Sequence, residues 1–180
     1  MLMNAHDSAL LVIDVQERLL PHIDDWQRLL ENVQWLIAVA QKIGVPLMAS
    51  EQYPKGIGKT HADVAALLPE NAVVEKLHFS CAASGCLAPL AAYARKQMVV
   101  CGIESHVCVL QTVLDLKRQG KEVFVVEDAV SSRRRSDKAL ALERMRAHGI
   151  DIVSREMVAF EWLHQAGTPL FKEVSQKFLK

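Results

Sequence analysis

Three residues of this chain have side chains that could act together in covalent chemistry: Asp14, Lys76 and Cys108. Each ends an apolar run or opens the helical pattern that follows one. The run from Ser8 to Gln16 meets an acid at Asp14, and Ala72-Val73-Val74-Glu75-Lys76 stops at a lysine. Val99-Val100-Cys101 reaches Gly102, and Cys108 then falls in the first turn of a helical pattern. With Ser105 as the cap, Cys108 lies near unpaired backbone N–H groups and the positive end of the helix dipole. The reactive form of a thiol is its anion, and a free thiol titrates at about 8.5, so something must favour the anion. The helix start and a nearby Lys76 ammonium would both do so. Asp14 can take the thiol proton and later deliver it to a leaving group. Backbone N–H groups in the turn would face the oxyanion of a tetrahedral intermediate, each such donor contributing about 3 kcal/mol. Plainer roles stay open on position alone. Asp14 can cap the next turn, Lys76 can be a solvated cation, and Cys108 can be a small packing residue.

The elements that would position these groups alternate. The spacing predicts strands over 8–16, 45–50, 72–76, 97–101, 122–129 and 151–153. Helices are predicted over about 25–43, 86–95, 106–119, 136–148, 156–165 and 169–178, from apolar residues at three- and four-residue intervals. Asp24 and Ser136 are the expected N-caps of the helices over 25–43 and 136–148, and Gly44, Gly120 and Gly149 the stops of those over 25–43, 106–119 and 136–148. Continuous apolar strands alternating with helices predict an α/β fold: a six-stranded, mainly parallel sheet with helices on both faces, in a single domain over 1–180. In such a sheet the strand C-termini share one edge, where open α/β sheets place their ligands. Asp14, Lys76 and Cys108 then meet there. Gln16, Tyr53 and Phe79 follow strand ends and are expected to line a pocket, although Tyr53 and Phe79 could equally cover the edge of the core.

Composition narrows the classes. The 180 residues are 51% apolar and 23% charged with zero formal net charge, an ordinary globular mixture without a basic patch that would suggest nucleic acid. The first residues lack a charged stretch followed by an apolar one, and the apolar runs are too short to span a membrane, so a cytoplasmic location is expected. Cys81, Cys86, Cys101 and Cys108 contain no C-x-x-C pair, so neither a disulfide framework nor a structural zinc site is expected. Cys101 lies inside an apolar strand and reads as a packing residue, while Cys81 and Cys86 have no evident base or metal partner. No glycine-rich phosphate loop occurs. The Arg133-Arg134-Arg135 run reads as a solvated loop, with a subunit contact or capture of a substrate carboxylate as the alternative.

Taken together, Leu11-Val12-Ile13-Asp14-Val15-Gln16, Glu75-Lys76-Leu77-His78-Phe79-Ser80, Val100 to Val109 and Glu127-Asp128-Ala129-Val130-Ser131-Ser132 resemble the isochorismatase-like cysteine hydrolases. That superfamily includes nicotinamidases and N-carbamoylsarcosine amidases. The resemblance implies a triad of Asp14, Lys76 and Cys108. It also implies a cis peptide between Ile103 and Glu104 that aims the Glu104 and Cys108 amides at the oxyanion. It further implies a homo-oligomer with sites near subunit contacts, for which the apolar residues Leu170, Phe171, Val174, Phe178 and Leu179 are candidates. Nicotinamidase-like members bind a metal through an Asp-x-His motif after the second strand. Here that place reads Ser50-Glu51-Gln52-Tyr53-Pro54 and His61 stands alone, so no metal and no other cofactor is expected. The expectation is hydrolysis of a C–N bond in a small amide or ureido compound. Three alternatives stand beside it: ester or ether hydrolysis on the same fold, a thiol redox protein or sensor, and a non-enzymatic interaction module.

Overall fold

The computed structural model describes residues 1–179. Six strands carry the fold: β1 (Ser8–Ile13), β2 (Leu47–Gln52), β3 (Val73–Lys76), β4 (Gln97–Ile103), β5 (Glu122–Ser131) and β6 (Asp151–Val153). Between and after them run α1 (Trp26–Ile43), α2 (Pro54–Ile57), α3 (Ala62–Ala65), α4 (Cys81–Ser84), α5 (Leu110–Arg118), α6 (Arg135–Ala147), α7 (Arg155–Leu163) and α8 (Pro169–Phe178). All strand pairings are parallel, in the order β3-β2-β1-β4-β5-β6. This is the doubly wound order, and its direction reverses between β1 and β4.

The strands are apolar at consecutive positions because both faces of the sheet are covered. Leu10, Val12, Val99, Cys101, Phe124 and Val126 join the core on the α1 and α7 side. Their neighbours Leu11, Ile13, Met98, Val100, Val123 and Val125 join the core on the α5 and α6 side. Cys101 therefore faces away from Cys108, which packs in the second core.

The sheet edge that matters is shaped by two backbone features. β1 ends at Ile13, earlier than the apolar run suggests, because Asp14 turns into the left-handed region at φ 51. Aspartate tolerates that conformation better than most residues. Beside it, Gly102 pairs with Ile13 and has φ 114. A Cβ there would come within 2.1 Å of the Ile13 carbonyl oxygen, so only glycine lets β4 approach β1 this closely.

Several expected elements differ. No helix spans 86–95: Gly85 and Pro89 break the pattern into turns and a short 3-10 segment, Ala91–Ala94, while a single turn, α4, forms earlier. Asp25, not Asp24, precedes α1, and α6 starts one residue before Ser136, with no side-chain cap at either. β5 continues to Ser131 past an irregularity in its pairing with β4. Part of the apolar side of α8 is spent within the chain, while Leu170 and Phe171 stay partly exposed. Val174 is fully buried, the Phe178 ring meets Trp35 edge-on at 6.2 Å, and Leu179 packs on the core. No helix among the described residues is long and apolar enough to cross a membrane.

Candidate active site

The turn after β4 departs from a regular helix start. Ser105–Val109 forms a π-helical turn, in which the Val109 N–H donates to the Glu104 carbonyl at 3.2 Å. π-turns of this kind occur frequently at functional sites. Glu104, not Ser105, occupies the capping position, with no side-chain cap bond, and the peptide between Ile103 and Glu104 is cis. The Glu104 carbonyl also accepts from the Val107 N–H at 3.0 Å, while the Cys108 amide takes part in neither bond. Ser105 is fully buried and its hydroxyl has no partner among the described residues.

The three reactive residues meet at the point where the strand order reverses. Asp14 leaves β1, Lys76 ends β3, and Cys108 lies in the turn after β4. Lys76 Nζ donates to Asp14 Oδ2 at 2.8 Å, and the Ser50 hydroxyl donates to Asp14 Oδ1 at 2.7 Å. A fourth residue, Gln52 at the end of β2, completes the cluster. Its Oε1 accepts from Lys76 Nζ at 2.6 Å and stands 4.0 Å from Cys108 Sγ, while its Nε2 donates to the Leu77 carbonyl. Asp14 is 0%, Lys76 4%, Cys108 6% and Gln52 8% exposed, so their charges act in a medium that screens little.

Burial raises the Asp14 carboxyl above its ordinary value, against the opposing pull of Lys76, Cys108 and Ser50. Burial works against the Lys76 ammonium, but Asp14 and the sulfurs of Cys81 and Cys108 outweigh it, and its pKa is raised. The Cys108 thiol is pushed well up, first by burial and then by the Asp14 charge, which together exceed the help of Lys76. Burial and the Asp14 charge therefore work against the thiolate that a helix start favours. One buried cation is already neutralised by Asp14, so a second anion has no counter-charge. The arrangement sets a thiol that resists ionisation beside a carboxyl of raised pKa already bonded to the Lys76 ammonium.

The outer residues take other roles. Gln16 is fully buried, but its amide is committed to backbone: it donates to the Gln52 and Gly58 carbonyls and accepts from the Gln52 N–H at 2.7 Å. It straps the loop after β2 and offers substrate no free amide, a correction to its expected pocket role. Glu51 adds to the strap by accepting from the Thr60 N–H and hydroxyl. Tyr53 and Phe79 lie outside the buried cluster on the loops after β2 and β3, half-exposed at 50% and 51%. The arginine run is divided. Arg133 holds Glu104 through Nη2 at 2.8 Å and through Nε and its backbone N–H at 3.1 Å each, and Arg135 pairs with Asp24 at 2.9 Å. Gln52 and the Glu104–Arg133 pair carry no local sequence signal. A cleft of about 660 Å³ lined by residues of α1, β5 and α6 lies apart from Asp14, Lys76 and Cys108.

The residues that stand where nicotinamidase-like members bind a metal do not form a ligand set. Ser50 points its hydroxyl at Asp14, Glu51 binds Thr60 and Lys59, and Gln52 serves Lys76. Among the described residues, no three His, Cys, Asp or Glu converge in a way that could hold a metal ion.

A doubly wound α/β protein with an Asp–Lys–Cys cluster at its switch point is thus defined by its fold and site. Residues 8–157 match the isochorismatase domain, and the chain belongs to the isochorismatase family of hydrolases. It is 34% identical over 172 residues to isochorismatase family protein 1B of Dictyostelium discoideum, covering 93% of this chain and 84% of that protein. Against isochorismatase domain-containing protein 2 of Danio rerio the identity is 35% over 175 residues, 96% of this chain and 86% of the relative. The solved structure of the MAR1 ribonuclease from Caenorhabditis elegans superposes with a TM-score of 0.91 at 34% identity, over 100% of this chain and 93% of that one.

Proposed function

We propose that this chain hydrolyses a C–N bond in a small amide or ureido compound through an acyl-enzyme on Cys108. The observation that carries the reading is the buried cluster in which Lys76 Nζ bonds both Asp14 and Gln52 while Cys108 Sγ stands 4.0 Å from the same Gln52 oxygen. As Sγ attacks the substrate carbonyl carbon, its proton passes to Asp14, whose raised pKa suits it to accept. The carbonyl oxygen becomes an oxyanion facing the Glu104 and Cys108 amides of the turn. Asp14 then returns the proton to the departing nitrogen, and the C–N bond breaks to leave a thioester. Water attacks the thioester while Asp14 takes its proton, and that proton returns to Sγ. Lys76 holds Asp14 in place and balances charge throughout, and Gln52 fixes the Lys76 ammonium. Tyr53 and Phe79 border the entrance and contact the substrate's outer part. The catalytic unit is a homo-oligomer, a reading that rests on the family and is tested by sedimentation.

A panel of small amides, ureido compounds, esters and a short RNA tests this. RNA is included because of the name that the nematode relative carries. Ammonia or amine release from one or more amides, lost in Cys108→Ser, together with a substrate-dependent mass increase on Cys108, supports the reading. Ester-only turnover through Cys108, or RNA cleavage that survives Cys108→Ser, overturns it.

A further inference from the structure

The loop after β5 runs along the turn that carries Cys108 and grips it at alternate residues. Ser131, the last residue of β5, pairs with Ile103. Ser132 is fully buried, and its hydroxyl lies 2.9 Å from His106 Nδ1. Arg133 then holds Glu104 with three donors. Its backbone N–H and Nε reach Oε2 at 3.1 Å each, and Nη2 reaches Oε1 at 2.8 Å. The Glu104 side chain is 8% exposed and that of Arg133 56%, so the guanidinium closes over the carboxylate from the solvent side. A bidentate fork of this kind fixes a carboxylate in direction as well as in place. The loop is itself anchored ahead of α1. The Ser131 hydroxyl donates to the Asp24 carbonyl at 2.9 Å, the Asp24 N–H donates to the Ser132 carbonyl at 3.1 Å, and Arg135 pairs with the Asp24 carboxylate.

These bonds fix the start of the turn and leave the side chains of Asp14, Lys76, Gln52 and Cys108 to one another. The Glu104 carbonyl is held on the turn side by the Val107 and Val109 N–H groups, and its carboxylate on the loop side by Arg133. Its own N–H donates to no group among the described residues. That is a free backbone donor held by its surroundings, which is what a developing oxyanion requires. We propose that Arg133 is a positioning residue: by holding the Glu104 carboxylate, it keeps the Glu104 N–H on the oxyanion that forms as Cys108 adds to a carbonyl carbon. Arg133 touches no reacting atom, and its role rests on the acyl-enzyme reading given above. A donor that acts on charge present only in the transition state changes the rate of carbonyl addition and leaves the reactivity of the thiol itself in place.

Two reagents that modify the same sulfur separate these effects. The activated ester 4-nitrophenyl acetate acylates Cys108 through a tetrahedral oxyanion: sulfur bonds to the acetyl carbon, nitrophenolate leaves, and the thiol proton passes to Asp14 and on to solvent. Iodoacetamide alkylates the sulfur by displacing iodide from a saturated carbon, and no oxyanion forms. Both rates are read as mass gains located on Cys108 within the 97–117 tryptic peptide. Wild type, Arg133→Gln and Arg133→Lys are compared at a temperature where each is folded. In Arg133→Gln acylation is expected to fall about ten- to hundred-fold, with alkylation unchanged. Arg133→Lys keeps a cation without the fork, and its acylation rate falls between the other two. Equal slowing with both reagents, or acylation at the wild-type rate in Arg133→Gln, overturns the positioning role and leaves the hydrolysis reading standing. A wild-type Cys108 that is alkylated but never acylated overturns both.

Discussion

Lys76 Nζ and Asp14 Oδ2 lie 2.8 Å apart, with both side chains fully buried, although 62 positions separate them in the chain. A buried pair of this kind is costly to break from one side, because the remaining charge keeps its desolvation penalty and loses its partner. Lys76→Met is therefore expected to destabilise the fold by about 3–5 kcal/mol, and the double variant with Asp14→Asn by less than Lys76→Met alone. Urea unfolding of the single and double variants measures this, and additive losses would show that the two residues are energetically independent.

The upward shift of the Cys108 thiol has a consequence in its labelling. Wild-type Cys108 should react with iodoacetamide at a rate that still climbs above the ordinary thiol range of about 8.5, because burial and Asp14 hold its pKa higher. Asp14→Asn removes the largest negative charge and frees the Lys76 ammonium to pair with the thiolate. Labelling at neutral pH is then faster while hydrolysis is lost. Peptide mass spectrometry over a pH series resolves Cys108 from the other thiols, and slower labelling in Asp14→Asn would contradict the charge assignment.

Glu104 and Arg133 couple stability to acid. Its bonds to Arg133 outweigh partial burial and hold the Glu104 carboxyl below its ordinary 4.5. A carboxylate lowered by folding stabilises the native state above its unfolded value, and that contribution is lost as pH falls through the folded one. Arg133→Gln should lower the urea midpoint near neutral pH and flatten its fall below about pH 4.5. Equal midpoint losses at neutral and acid pH would assign the effect to packing instead.

Gly102→Ala tests the approach of β4 to β1. The added Cβ would meet the Ile13 carbonyl at 2.1 Å, at a φ of 114 that side chains rarely adopt. Backbone cannot swing aside as a side chain can, so a loss of about 3 kcal/mol or more is expected in thermal unfolding. A change near zero would mean that the sheet relaxes there.

Gln16→Leu tests the strap on the loop after β2. It removes bonds to the Gln52 and Gly58 carbonyls and from the Gln52 N–H, leaving buried backbone groups unpaired at a cost of about 1–3 kcal/mol. Hydrogen exchange should quicken over 52–60 and stay unchanged in β5. Unchanged exchange in the loop would show that Glu51 and Thr60 hold it without Gln16.

The chain by itself determined the alternation of strands and helices, the α/β class and the sheet edge on which Asp14, Lys76 and Cys108 fall. Those properties are written in local patterns: apolar runs, helical spacing, and the position of each reactive residue at a strand end. It did not determine the helix expected over 86–95, because apolar residues at suitable spacing do not outweigh Gly85 and Pro89 in so short a stretch. Nor did it show that Gln16 serves the backbone, that Gln52 binds Lys76, or that α8 spends Val174 and Phe178 on its own core. Those partners lie far apart in sequence, and only the tertiary fold chooses among the acceptors within reach. The direction in which the Cys108 thiol is shifted belongs to the same class. A helix start favours the anion, but the burial and the neighbouring carboxylate that prevail are set by how three strands and a turn close on one another.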